Sequence, residues 1–120
     1  MGKRLSKHFR RNEFACQCGC GFDTVDASTL EVLEAVRERF GPTTVTSGCR
    51  CPEHNAEIGG AENSQHKYAR AADIQVEGVD PDTVHDWIAE NYSWVSLGRY
   101  DTFTHVDTRT DGPARWDRRS

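Results

Sequence analysis

The chain has 120 residues, with 15 lysines and arginines against 19 aspartates and glutamates, for a net charge of −4. That length holds one modest core and not two, and the acidic balance argues against nucleic acid and leaves no cationic anchor for anionic wall polymers. No run approaches the roughly eighteen apolar residues of a membrane span, and Met1-Gly2-Lys3-Arg4-Leu5 has no apolar stretch behind its charges, so neither a membrane helix nor a classical signal peptide is expected.

Residues 3–14 are basic and polar, with isolated rings at Phe9 and Phe14. They read as an arm that lies across the domain and tucks both rings into the core, with His8 solvated among its cationic neighbours. Residues 1–22 thus form an arm that ends in a cysteine-rich turn, Cys16-Gln17-Cys18-Gly19-Cys20-Gly21. Its thiols can face Cys49 and Cys51, and three states are open: a structural zinc held by three or four thiolates, one disulfide between the clusters, or packed free thiols. The five cysteines cannot all pair within one chain.

From Asp26 the pattern becomes helical. Asp26 or Ser28 can cap it, Leu30, Val32, Leu33, Val36 and Phe40 form an apolar stripe, and Gly41-Pro42 stops it. Thr43-Thr44-Val45-Thr46-Ser47 reads as a strand ended by Gly48. Arg50 follows, a permanently charged planar fork able to hold a carboxylate or steady an oxyanion, or to form a surface salt bridge. Residues 52–58 form a short helix opened by Pro52, with His54 structural, and Gly59-Gly60-Ala61 makes the exit.

Ser64-Gln65-His66 then leads to Asp73, which opens the apolar run Ile74-Gln75-Val76, a second strand. After Gly78, Asp80-Pro81 starts a helix with Val84, Trp87, Ile88 and Tyr92 on its buried face and His85 off it. Residues 94–98 form a strand, Arg99-Tyr100 a turn, and residues 103–109 the closing strand of an antiparallel hairpin. Trp116 is expected to pack back on the domain.

Three of these residues make a ligand set. His66 and Asp73, seven positions apart, can give one imidazole nitrogen and one carboxylate oxygen to a divalent metal, and Phe103-Thr104-His105-Val106-Asp107 offers a third ligand, His105. Period-two alternation puts His105 and Asp107 on one face. Two histidines, one carboxylate and an open fourth position are the ligands of a hydrolytic zinc site. A Ser64–His66 nucleophile is the rival, but residues two apart rarely give its geometry.

Ser64-x-His66, Ala71-x-Asp73 and His105 together resemble the zinc D-alanyl-D-alanine peptidases of the M15 type, a group that includes phage L-alanyl-D-glutamate endolysins. Ser47-Gly48-Cys49-Arg50, Gly98-Arg99-Tyr100, Arg115-Trp116 and Glu13-Phe14 extend the likeness to the short branch of the group and to almost the whole chain. The family usually has Gly where this chain has Ala69. The resemblance implies one α+β domain over residues 1–120, a small antiparallel sheet with helices packed on it, similar to the Hedgehog and DD-peptidase fold. It implies Zn2+ on His66, Asp73 and His105, Arg50 on a substrate carboxylate or oxyanion, and Ser64 at the substrate. For the general base, Asp107 is preferred because His-Val-Asp matches the short branch, and Asp101 is the alternative because relatives place a carboxylate shortly before the last ligand.

The implied substrate is the peptidoglycan stem peptide, cut at D-Ala-D-Ala or L-Ala-D-Glu. A monomer is expected, cytoplasmic until lysis or carried in a phage particle. Two rivals are a non-catalytic zinc-containing binding module, as in the Hedgehog signalling domain, and a purely structural zinc domain.

Overall fold

The computed structural model describes residues 4–21, 23–60 and 64–120. Residues 1–3 and Phe22 of the expected arm, and Ala61 of the expected exit turn, lie outside the described residues. In order, the chain forms a 3₁₀ turn (Arg11–Phe14), α1 (Ala27–Phe40), β1 (Thr43–Ser47), α2 (Pro52–Glu57), a second 3₁₀ turn (Gln65–Tyr68), β2 (Ala71–Val76), α3 (Pro81–Asn91), β3 (Ser96–Arg99), β4 (Thr104–Asp107) and β5 (Arg115–Asp117). The five strands form one sheet in the order β1-β2-β4-β3-β5.

Alternation divides this sheet into two faces with different tasks. Ala72, Ile74, Leu97 and Val106 are buried with Val32, Leu33 and Val36 of α1 and Val84 and Ile88 of α3. Each large aliphatic side chain so placed contributes about 1.5–3 kcal/mol relative to exposure. The opposite face carries polar residues, and register aligns them. Ser47 pairs with Asp73, Asp73 with His105, His105 with Gly98, and Gly98 with Trp116, one row across all five strands. Asp107 lies two residues further along β4 on the same face, between Ala71 and Ser96.

Local signals set the ends. The Asp80 carboxylate accepts from the Asp82 N–H at 3.2 Å, and Pro81 opens α3; α1 stops at Gly41, whose φ of 105° is left-handed. The arm tucks in as expected: Phe9 and Phe14 are buried in the core. Gly48 permits that contact, since a Cβ there would lie 2.5 Å from the Phe14 Cα.

Several expectations need correction. The sheet is mixed, because β5 runs parallel to β3. His85 is buried beside Val84 and Ile88, and its Nδ1 faces the Asp86 carboxylate at 3.1 Å. His8 is not solvated; its Nδ1 meets Glu34 Oε1 at 2.6 Å and its backbone N–H donates to Oε2 at 2.7 Å. On α1, Thr29 is fully buried while Leu30 and Phe40 are half-buried, because the Thr29 hydroxyl finds the Arg70 carbonyl at 2.8 Å. Asp26 precedes α1, but its carboxylate caps nothing. No helix among the described residues is long and apolar enough to cross a membrane.

Candidate metal centre

His66, Asp73 and His105 bring one donor atom each within 4.8 Å of one another. Two of the three come from paired strands, Asp73 directly opposite His105. The third comes from the 3₁₀ turn of Gln65–Tyr68, whose first N–H groups are capped by the Ser64 hydroxyl, 3.3 Å from the His66 N–H. Ala69 ends that turn in the left-handed region, φ 57° and ψ 29°, which a residue with a Cβ rarely adopts.

Hydrogen bonds fix both imidazoles. A carbonyl can only accept, so His66 Nδ1–H donates to Gly48 O at 2.6 Å, and its bare Nε2 faces Asp73 Oδ1 at 3.4 Å. His105 Nε2–H donates to Asp107 Oδ2 at 2.7 Å, and its Nδ1 faces the same Asp73 oxygen at 2.9 Å. In their neutral forms two nitrogen lone pairs and one carboxylate oxygen converge. Such a donor set calls for a cation, and the residues fit zinc.

Burial pushes the Asp73 carboxyl up, but the facing imidazoles of His105 and His66 outweigh it and hold the pKa well below the usual carboxylate range. For His105, burial pulls the pKa down, and Asp107 and Asp73 more than offset it.

The three donors open into a cleft of about 550 Å³. Arg50, Arg109 and Arg118 line it, with Ser64, Tyr100, Phe103 and Trp116. Arg50 donates to Asn55 Oδ1 at 2.9 Å and to Ser47 Oγ at 3.4 Å, while its buried Nε has no hydrogen-bond partner among the described residues. Burial lowers its pKa and the Asp73 charge pushes back. Gly60 makes room for this guanidinium, since a Cβ there would stand 2.7 Å from Arg50 Nη1 and 2.2 Å from Asn55 Oδ1.

The two carboxylates expected as bases sit elsewhere. Asp107 shares the sheet face of His105 but lies behind its ring, fully buried and gripped by Arg109 through Nε at 2.9 Å and Nη2 at 2.7 Å. Burial pushes its pKa up, and Arg109 and His105 hold it well below the usual carboxylate range. Asp101 is exposed on the loop between β3 and β4 and accepts from Ser120 N–H and Oγ. Among the described residues, Asp73 is the sole carboxylate lining the cleft.

Trp116 and Arg109 line the cleft without having been expected among its substrate or metal residues. Trp116 was expected to pack on the domain, but its ring lies 5.0 Å from His105 and donates from Nε1 to Tyr100 Oη at 3.0 Å. Arg109 lies 5.3 Å over the Trp116 ring while holding Asp107. The signal for Arg109 was alternation, two positions after Asp107. A strand of three residues such as β5 leaves almost none.

A family model described as peptidase M15 matches residues 7–107. A segment of 48 residues, 38% of the chain, is 44% identical to the zinc D-Ala-D-Ala carboxypeptidase of Streptomyces albus G, and that match spans 19% of the relative's length.

Proposed function

This chain belongs to the peptidase M15 family, and on that premise we propose that it is a zinc-dependent peptidase that hydrolyses peptidoglycan stem peptides. One observation carries the reading: His66 Nε2, His105 Nδ1 and Asp73 Oδ1 converge at the head of an open cleft. Zinc bound there would polarise the scissile carbonyl and lower the pKa of water towards ~7.

The protein's own residues supply the rest. The Asp107–Arg109 ion pair holds the His105 tautomer, and Gly48 holds that of His66. Arg50 offers an unused buried N–H to the substrate carboxylate or to the oxyanion. Three arginines lining one cleft in a chain of net charge −4 suit a peptide bearing free carboxylates, such as one ending in D-Ala-D-Ala or containing D-Glu. Ser64, which caps the turn of His66, borders the same cleft.

The water's proton needs a carboxylate not already held in an ion pair. Asp107 is held by Arg109, so we give it the task of orienting His105. Asp101 follows the cleft residue Tyr100 without lining the cleft itself, and among the described residues no arginine grips it, so we assign it the role of taking the proton and returning it to the leaving amine.

The rival is a binding module without catalysis, favoured by the scarcity of carboxylates in the described cleft. The test is release of new amino groups from a pentapeptide ending in D-Ala-D-Ala and from an L-Ala-D-Glu muropeptide, with and without chelator. Chelator-sensitive release, lost in His66→Ala and His105→Ala, is expected. Tight zinc binding without release from either peptide would leave the binding module standing.

A further inference from the structure

We infer that Cys16, Cys18, Cys20 and Cys51 form a second metal site, a closed four-thiolate site for zinc that clamps the N-terminal arm onto the loop carrying Arg50. This goes beyond the peptidase reading and does not rest on it. The four Sγ atoms all lie within 4.8 Å of one another. Cys16 and Cys18 stand 3.4 Å apart, Cys18 and Cys51 3.6 Å.

Those separations discriminate between the chemistries open to four thiols. A disulfide draws two sulfurs to about 2.05 Å. Four sulfurs each about 2.3 Å from one zinc stand about 3.8 Å apart at the corners of a tetrahedron. Spacings of 3.4 and 3.6 Å exclude a disulfide in these pairs and leave the four sulfurs close enough to share one zinc.

The fifth cysteine completes the argument. Cys49 is buried, its Sγ donates to the Phe14 carbonyl at 3.0 Å, and it is not one of the four converging thiols. An odd count therefore divides into a set of four and one thiol with a different task. Backbone N–H groups are also aimed at the sulfurs, Cys51 N–H at Cys16 Sγ and His54 N–H at Cys51 Sγ, each at 3.4 Å. A thiolate accepts such bonds, and donors to the ligand atoms are what support a metal site from outside.

Local structure makes the set possible. In an extended chain Cys-x-Cys-x-Cys would put its three sulfurs on one face but successively about 7 Å apart, too far to share one ion. Here Gly19 and Gly21, at φ +80° and +93°, turn the chain back on itself, and Gly19 N–H closes the turn on Cys16 O at 3.1 Å. The fourth thiol arrives from Cys51, directly after Arg50. Soft sulfur ligands at tetrahedral spacing select zinc over calcium or magnesium, and four protein ligands leave no open position for a substrate.

The full chain, purified under reducing conditions with zinc, tests this by elemental analysis and cobalt substitution. Wild type should carry about two zinc ions per chain, and the His66→Ala/His105→Ala variant about one. Cobalt in that variant should show the intense near-ultraviolet charge transfer of thiolate ligands. Cys18→Ser/Cys20→Ser should lose that band and about one zinc, while keeping the chelator-sensitive metal of the histidine site. A histidine double variant that binds no metal overturns the inference, as does a cobalt spectrum without thiolate bands or a mass showing thiol hydrogens lost to disulfides. This readout needs no folded cysteine variant. Wild type with about one zinc retained in Cys18→Ser/Cys20→Ser sinks this site and leaves the peptidase reading intact; one zinc retained only on the thiols does the reverse.

Discussion

The loop of residues 48–51 serves two donor clusters, giving the Gly48 carbonyl to His66 and the Cys51 thiol to the tetrad. The clusters are built differently. Asp73 and His105 are fixed by strand register, and each histidine has a second hydrogen bond that sets its tautomer. Three of the four thiols ride on a turn, and sulfur-to-sulfur contacts are their main restraint. One cluster opens on a cleft and the other is closed by its own ligands, the difference between a catalytic and a structural metal site. Preorganisation by a sheet suits a site that must keep an open position, whereas a turn can rely on the metal to order it.

The largest effects should come from carboxylates around the open cluster. Asp101→Asn should lower kcat by about 10²–10⁴-fold with metal content unchanged, since only proton transfer is lost. Asp107→Asn should instead weaken zinc binding by about 10–100-fold, because the amide no longer holds the His105 tautomer, and added zinc should restore turnover. Metal content and kcat measured on both variants decide it. If Asp107→Asn keeps its metal yet loses turnover, the two roles must be exchanged.

Next comes the row that carries the ligands. Trp116 lies flat on Gly98, where a Cβ would stand 2.5 Å from the ring. Gly98→Ala should cost about 1–3 kcal/mol as the indole is forced off its neighbours His105 and Tyr100. Loss of near-ultraviolet dichroism with a lowered Tm would show it. The same change leaves the thiol tetrad untouched, so a cobalt spectrum from that cluster should be unaltered.

The arm that bears three thiols has an anchor of its own, and pH separates it from the tetrad. Burial pushes the Glu34 carboxyl up, but the Ser6 hydroxyl and the His8 ring and N–H outweigh it, so its pKa falls below the ordinary 4.5. A carboxylate whose pKa is lower folded than unfolded adds stability that is complete above the unfolded value and is lost as pH falls through the folded one. Glu34→Gln should therefore lower Tm at about pH 7, with the gap to wild type closing towards about pH 3. A gap that does not depend on pH would mean packing rather than charge holds the arm.

Much of this architecture could be read from residue patterns because burial imposes periods. The stripe of α1, the β-branched β1 and the alternation that puts His105 and Asp107 on one face all follow from which side must be dry. What escaped were partners chosen in three dimensions. His8 and His85 read as solvated because a lone histidine carries no period, yet each met a carboxylate. For Asp107, spacing left open both a base and a partner of Arg109, and it could not show that Arg109 takes both of its oxygens. The cysteine turn was read with Cys49 and Cys51 facing it and three states open, and because Cys51 lies 31 residues beyond Cys20 only the fold shows which of the two joins the set.

The smallest expected effect concerns Ala69, where the family usually has Gly. That departure falls on the one described non-glycine residue with positive φ, at the end of the turn that presents His66. A left-handed residue with a Cβ costs roughly 1–2 kcal/mol, and Gly gives back part of that through the entropy of the unfolded chain. Ala69→Gly should therefore stabilise by about 0.5–1 kcal/mol, a rise of a few degrees in Tm, with zinc affinity at the histidine site unchanged. The side chain is buried at 6% exposure, so its packing works against the gain. Because a methyl of Ala69 buries little, relief of the backbone should win, and Ala69→Val, which adds bulk at the same φ, should destabilise. A variant Ala69→Gly less stable than wild type would mean that this turn is held by the packing of its side chains and not by the backbone angles that aim His66 at the cleft.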